Sequence, residues 1–163
     1  MYFEIDSTIR ENKDLCLLRN ETHKFAEEVI RPAAKLDKMD PEEVIAPDSP
    51  YWSALKEMKK MGYHRLFFHR DYGGLGLNST QVHIILEELG WGSVGLATAI
   101  GTDQVPAGIA SLFGMGDIID NLVLPWAEDT EARFHGCWGV TEPDCGSDLA
   151  SMRTRIWRDG DEY

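Results

Sequence analysis

The chain has 163 residues, 43% hydrophobic and 27% charged, enough to bury a core and too apolar for a disordered segment. Its formal net charge of −12 argues against non-specific nucleic-acid binding, so an anionic ligand must find a local basic or N–H-rich patch. Cys16, Cys137 and Cys145 are an odd number without C-x-x-C spacing, and His23, His64, His69, His83 and His135 lack metal-ligand spacing, which suggests neither a disulfide framework nor a metal site.

The opening Met1-Tyr2-Phe3-Glu4-Ile5-Asp6 has neither the basic stretch nor the apolar stretch of a secretory signal, and no apolar run reaches membrane-spanning length. No membrane contact is expected, and a cytoplasmic location is the default. Leu15, Leu18, Thr22, Phe25 and Val29 then recur at three- and four-residue steps, which predicts a core-facing helix through Ala33 or beyond, kinked or interrupted by Pro32. A second helix opens at Ser49 with Pro50 in its first turn, turns Trp52, Leu55 and Met58 inward and closes near Gly62. Leu66-Phe67-Phe68 reads as a short extended piece, followed by the glycine-rich Asp71-Tyr72-Gly73-Gly74-Leu75-Gly76-Leu77. That loop matches neither G-x-G-x-x-G nor a P-loop and is read as a structural turn.

Asn78 or Ser79 caps a third helix with Val82, Ile85, Leu86 and Leu89 on one face and Gly90 as its stop. Residues 94–100 and 105–113 read as further helices, in which Leu96, Ala97 and Ile100 are core by pattern. The last helix, over residues 117–127, carries Ile118, Ile119, Leu122 and Val123 inward and ends near Pro125. Beyond a charged link the period becomes strand-like, which places a domain boundary near residue 133. Residues 134–140 read as a buried strand and 149–157 as another, with Asp159-Gly160 as a hairpin turn.

Between those stretches stands Thr141-Glu142-Pro143-Asp144-Cys145-Gly146-Ser147-Asp148. Pro143 biases Glu142 towards extended backbone and Gly146 permits positive φ or close approach, so outward N–H groups beside two hydroxyls suit a phosphate or a heterocycle edge. An ordinary surface loop is the plainer reading of the same turn chemistry. With its flanks, the octapeptide resembles the signature of the acyl-CoA dehydrogenase family, in which Thr-Glu-Pro-Gly-Ala-Gly-Ser-Asp is usual; Asp144 and Cys145 replace the Gly and Ala. Phe25-Ala26-Glu27-Glu28-Val29-Ile30-Arg31-Pro32-Ala33-Ala34 resembles the family's first helix, and Tyr72-Gly73-Gly74-Leu75-Gly76-Leu77 its usual loop.

The resemblance implies an acyl-CoA dehydrogenase-like fold: an all-α N-terminal helical bundle over residues 1–133, then the first strands of a truncated β domain over 134–163. It implies FAD as cofactor, with Trp138, Gly139 and Val140 placing backbone along the isoalloxazine and Thr141 hydrogen-bonding the ring. Gly146 and Ser147 would lie near the FAD diphosphate, and Ser147 also near the acyl-CoA. No catalytic residue is assigned, because the family's glutamate base lies beyond residue 163. Glu142 is read as a cap on backbone N–H groups rather than as an acid paired with Asp144 or Asp148. The added charge of Asp144 would disfavour a nearby phosphate, and Cys145 fills a position that is usually small.

The leading expectation is the N-terminal part of an FAD-dependent acyl-CoA dehydrogenase that forms an α,β double bond in a CoA thioester. The family further implies an electron-transfer flavoprotein as acceptor and a homo-oligomer. An acyl-CoA oxidase, or a nitroalkane oxidase or monooxygenase type of flavoenzyme, would keep the fold and be recognised by rapid reoxidation in air. A non-catalytic helical interaction module would be stable alone and indifferent to FAD and CoA.

Overall fold

The computed structural model describes residues 4–114 and 116–162. Met1, Tyr2 and Phe3 of the opening stretch, and Tyr163 after the expected hairpin turn, lie outside them. Helix α1 spans Glu4–Glu11 and α2 spans Lys13–Phe25, with the Asn12 side chain between them accepting the N–H groups of Asp14 and Leu15. Beyond Phe25 the chain stays helical in two other forms, a π turn at Ala26–Ile30 and a 3-10 stretch at Arg31–Lys38. Pro32 is the physical cause. It has no N–H to give and its ring crowds the carbonyl four residues back, and the wider turn relieves both problems as Arg31 N–H reaches the Ala26 carbonyl. The expected interruption at Pro32 is therefore observed.

The same device recurs at Pro125. Helix α8, Gly116–Ile118, widens into a π turn at Ile119–Val123 and resumes as α9, Leu124–Glu128, with Leu124 N–H bonded to the Ile119 carbonyl. The helix thus passes through Pro125 instead of ending there. The extra residue in the widened turn also rotates the inward face: Ile119 and Val123 are buried, whereas Leu122, expected inward, is exposed.

Asp40 caps the short α3, Pro41–Val44, and Ser49 accepts Tyr51 N–H to start α4, Pro50–Lys60. Leu55 and Met58 are fully buried, as their spacing predicts, and Trp52 is half-buried with its indole N–H donated to the Ala46 carbonyl at 2.9 Å. Residues 66–68 form a turn, not the extended piece expected. Leu66 has helical backbone angles, and Phe67 N–H donates to Gln104 Oε1 at 3.1 Å, so a buried side chain satisfies it in place of a strand partner. The glycine-rich loop is structural, as read: a Cβ on Gly74 would lie 1.9 Å from the Phe68 carbonyl oxygen.

Helix α5, Ser79–Gly92, begins with a reciprocal Asn78 and Gln81 capping box. It runs through Gly90, the expected stop, and ends where Ser93 caps α6, Val94–Asp103; α7 follows at Val105–Phe113. Helix α5 is the centre of the bundle, packed between α2 and α6. Val82, Ile85 and Leu89 join Ile30, Leu55, Met58, Leu96 and Ile100 in the main core, while Ile84 packs with Ile9 and Leu15 on another side. A smaller cluster gathers Phe68, Ala107, Ile119, Val123, Trp126 and Ala127. His64 is fully buried, its Nε2–H donated to the Ala127 carbonyl at 3.2 Å.

Past α9 the helical pattern stops. Residues 134–140, expected as a buried strand, run without ladder partners among the described residues and are mostly exposed. The second expected strand is a 3-10 turn at Leu149–Ser151 followed by exposed chain, since an isolated strand without a partner has nothing to satisfy its backbone but water. The hairpin turn does form, as an isolated bridge between Asp159 and Glu162.

Two substitutions separate the roles of the glycines. G90A meets no atom within 4 Å and replaces a helical glycine, so it should stabilise the chain by roughly 0.5–1 kcal/mol in urea unfolding. G74A drives a methyl into backbone and should cost about 1–3 kcal/mol. A pH series tests His64, whose pKa is pulled from 6.5 to about 4, chiefly by burial, with Lys59 and Arg65 adding to the depression. The unfolded chain then takes up a proton below pH ~6.5 that the folded chain refuses until about pH 4. Stability should fall by up to roughly 3 kcal/mol across that window, and H64Q should flatten this part of the fall.

Candidate functional site

The octapeptide folds as a tight turn in which Glu142 N–H donates to the Cys145 carbonyl at 2.9 Å and Cys145 N–H to the Glu142 carbonyl at 3.1 Å. Two of the N–H groups expected to point outward are thus used inside the turn. Gly146 does not take positive φ. Cys145 is buried, its thiol donated to the Asp148 carbonyl at 3.0 Å, and Asp148 Oδ2 in turn accepts Ser151 Oγ–H.

Glu142 behaves as a cap, as its setting in a turn predicts. Its two oxygens accept Arg153 N–H at 2.9 Å, Thr154 N–H at 2.7 Å and the Thr154 hydroxyl. The Thr154 hydroxyl first, then the two backbone donors, hold its carboxyl below the usual carboxylate range. Asp144 meets Arg153 Nη1 at 3.2 Å, so the charge that replaces the usual glycine has a counter-ion of its own.

Around this turn the residues singled out from the sequence form two short strips. Trp138, Gly139, Val140 and Thr141 lie on the extended strip before it and Gly146 and Ser147 on the strip after it; all but the half-buried Val140 are exposed. Because Glu142 and Cys145 are bonded reciprocally, Thr141 and Gly146 flank the open end of the turn. A Cβ at Gly139 or Gly146 would meet no atom of this chain within 4 Å.

A group of charged residues that the motif reading missed anchors the approach to this turn. Lys59, with no exposed side-chain surface, lies 3.2 Å from Asp129 Oδ2 and 3.3 Å from Asp103 Oδ2, and donates to the Phe134 carbonyl. Asp129 accepts the N–H groups of Glu131, Arg133 and Phe134, and Asp103 that of Gly136 at 2.9 Å. Burial pushes the Asp129 carboxyl up, but the Phe134 N–H, the Lys59 ammonium and the Arg133 N–H together hold it below its usual value. At Gly136 a Cβ would lie 2.1 Å from the Asp103 carbonyl oxygen, so only glycine allows the chain to cross α6 here. The sequence signal was available: Lys59 is four residues after Leu55 and Asp103 three after Ile100, charges on apolar stripes.

Comparison with known proteins places these elements in a family. Residues 12–117 match the model of the acyl-CoA dehydrogenase N-terminal domain. The chain is 30% identical over 156 residues to (2S)-methylsuccinyl-CoA dehydrogenase of Cereibacter sphaeroides, covering 93% of this chain and 26% of that protein. It is 30% identical over 139 residues to the mitochondrial isobutyryl-CoA dehydrogenase of Dictyostelium discoideum, covering 85% of this chain and 31% of the relative. Against glutaryl-CoA dehydrogenase of Desulfococcus multivorans the identity is 27%, over 93% of this chain and 38% of the relative. The chain thus spans between about a quarter and two fifths of these relatives' length. A solved acyl-CoA dehydrogenase from Bacillus anthracis, complexed with FAD, superposes with a TM-score of 0.66 at 21% identity, over 87% of this chain and 23% of that one. With the family model matched across most of the helical bundle, the chain belongs to the acyl-CoA dehydrogenase family, as its N-terminal domain.

Proposed function

We propose that this chain is the N-terminal part of an FAD-dependent enzyme that introduces an α,β double bond into an acyl-CoA thioester. In this reading residues 1–133 are the helical domain and 134–163 the beginning of the middle β domain. The observation that carries it is the signature turn itself, with its flanking strips in the open and its glycines unobstructed. An exposed indole, a threonine hydroxyl and backbone outside any ladder suit the edge of a flavin, and the room at Gly139 and Gly146 suits close approach of a ligand. The residues present therefore fit the group. Trp138, Gly139, Val140 and Thr141 would hold the ring, and Gly146 and Ser147 the diphosphate, with Ser147 also facing the acyl-CoA. FAD, when bound, supplies the hydride acceptor.

Three of the relatives carry names that specify short acyl groups, which favours a short acyl-CoA as substrate. An electron-transfer flavoprotein as acceptor, a homo-oligomeric assembly and a cytoplasmic location complete the proposal. Among the described residues no helix is long and apolar enough to cross a membrane.

Anaerobic titration of the full-length protein with a panel of acyl-CoA esters tests the reading. The flavin absorption should bleach with at least one short ester, and a colourless protein that FAD cannot reconstitute would overturn it. Two variants refine the roles. T141V should weaken FAD binding by about tenfold, the worth of one hydrogen bond of roughly 1–1.5 kcal/mol. E142Q removes the charge that caps Arg153 and Thr154 and should loosen FAD while leaving the shape of the kcat pH profile intact. A lost limb of that profile would mean that Glu142 moves a proton.

A further inference from the structure

We propose that Lys59, clamped between Asp103 and Asp129, is the positioning group that sets where residues 133–141 leave the helical bundle. The inference deepens the flavin reading above, because Trp138 to Thr141 form the end of that segment. The segment belongs to no ladder among the described residues, so sheet pairing does not direct it. Side chains do. Asp129 takes Arg133 N–H at 2.8 Å and Phe134 N–H at 2.9 Å, Lys59 takes the Phe134 carbonyl, and Asp103 takes Gly136 N–H at 2.9 Å.

These contacts fall on three successive parts of the segment and come from α4, α6 and the residue just after α9. The positive φ of Ala132, at 54°, turns the chain into them. The crossing at Gly136 leaves no space for a side chain. Two residues later stands Trp138, so an error in the clamp is carried into the strip that the flavin ring would meet. Lys59 touches no reacting group in this scheme. It acts through the backbone of Phe134 and through its two carboxylates.

The test uses the full-length protein in wild-type form and as K59M, K59M/D129N and L89A, the last a core substitution in α5 remote from the clamp. Hydrogen exchange is followed at the amides of Arg133, Phe134 and Gly136, beside FAD affinity and the split between kcat and KM. K59M should lose protection at these three amides by about tenfold or more, and FAD affinity with it, beyond L89A compared at equal distance below each variant's Tm. K59M/D129N should regain part of the lost Tm, because one of the two buried carboxylates is neutralised, but not the protection. Unchanged protection in K59M, equal loss in L89A, or full recovery in the double variant would each overturn the clamp. If protection falls as expected while the wild-type protein takes up no FAD, the flavin reading fails and the positioning role of Lys59 stands.

Discussion

An ammonium with no contact with water is the constraint on which the C-terminal part of this structure depends. Taking Lys59 out of solvent costs several kcal/mol, and only close partners offset that. It has two carboxylates at 3.2 and 3.3 Å, a carbonyl oxygen, and the face of Trp126 with its centroid 5.0 Å away. Asp103 Oδ2 is in charge contact with it rather than in a formed hydrogen bond. The carboxylates in turn need donors, and the backbone of the segment after α9 supplies them. None of the three charges is tolerable without the others, so α4, α6 and that segment have to be assembled together. A stretch of chain without secondary structure thereby acquires a fixed course.

The bundle above it solves a different problem, that of bending helices around a central one. Helix α5 buries side chains on more than one side, so its neighbours must curve about it. The π turn ahead of Pro32, which packs on α5, provides that curvature where an α-helix could not continue unaltered. Polar contacts then lock the arrangement. Glu88, buried in α5, accepts Arg19 Nε–H at 2.8 Å and pairs with His23 Nδ1 at 2.6 Å, which ties α5 to α2. Asp37 accepts the Ser93 hydroxyl at 2.7 Å and Gly95 N–H at 3.0 Å, which ties the 3-10 stretch to the start of α6. Gln104 closes the other end, its amide donating to the carbonyls of Tyr63 and Ile100 while accepting Phe67 N–H.

Helix existence was legible wherever period and caps agreed: the Asn78 capping box, Ser49 with Pro50, and the Leu15 to Val29 stripe all stand where their chemistry puts them. Helix ends were less legible, because Gly90 and Pro125 are breakers by propensity and tertiary packing overrides them. Residues 66–68 were misread since their apolar run says nothing of Gln104, more than thirty residues away, which takes the Phe67 amide. Residues 134–140 have a strand's composition, but a strand is defined by a partner, and composition does not supply one. The signature was legible as a motif and its polar anchoring was not. A buried lysine is visible in sequence only as a charge out of place on an apolar face.

The two departures from the usual signature illustrate how local such anchoring is. Asp144 adds a carboxylate that would repel a nearby phosphate-bearing ligand, yet Arg153, whose own N–H is held by Glu142, pairs with it. Both partners are largely exposed, so the pair adds little to stability. Its effect is on the field: the added charge is met by an opposite one before it reaches a ligand. Cys145 enlarges a small position, but its side chain is buried and its thiol bonds the Asp148 carbonyl. The first substitution is thus met by a counter-ion at the surface and the second by burial. Thr141, Gly146 and Ser147, exposed on either side of the turn, keep the family's usual form.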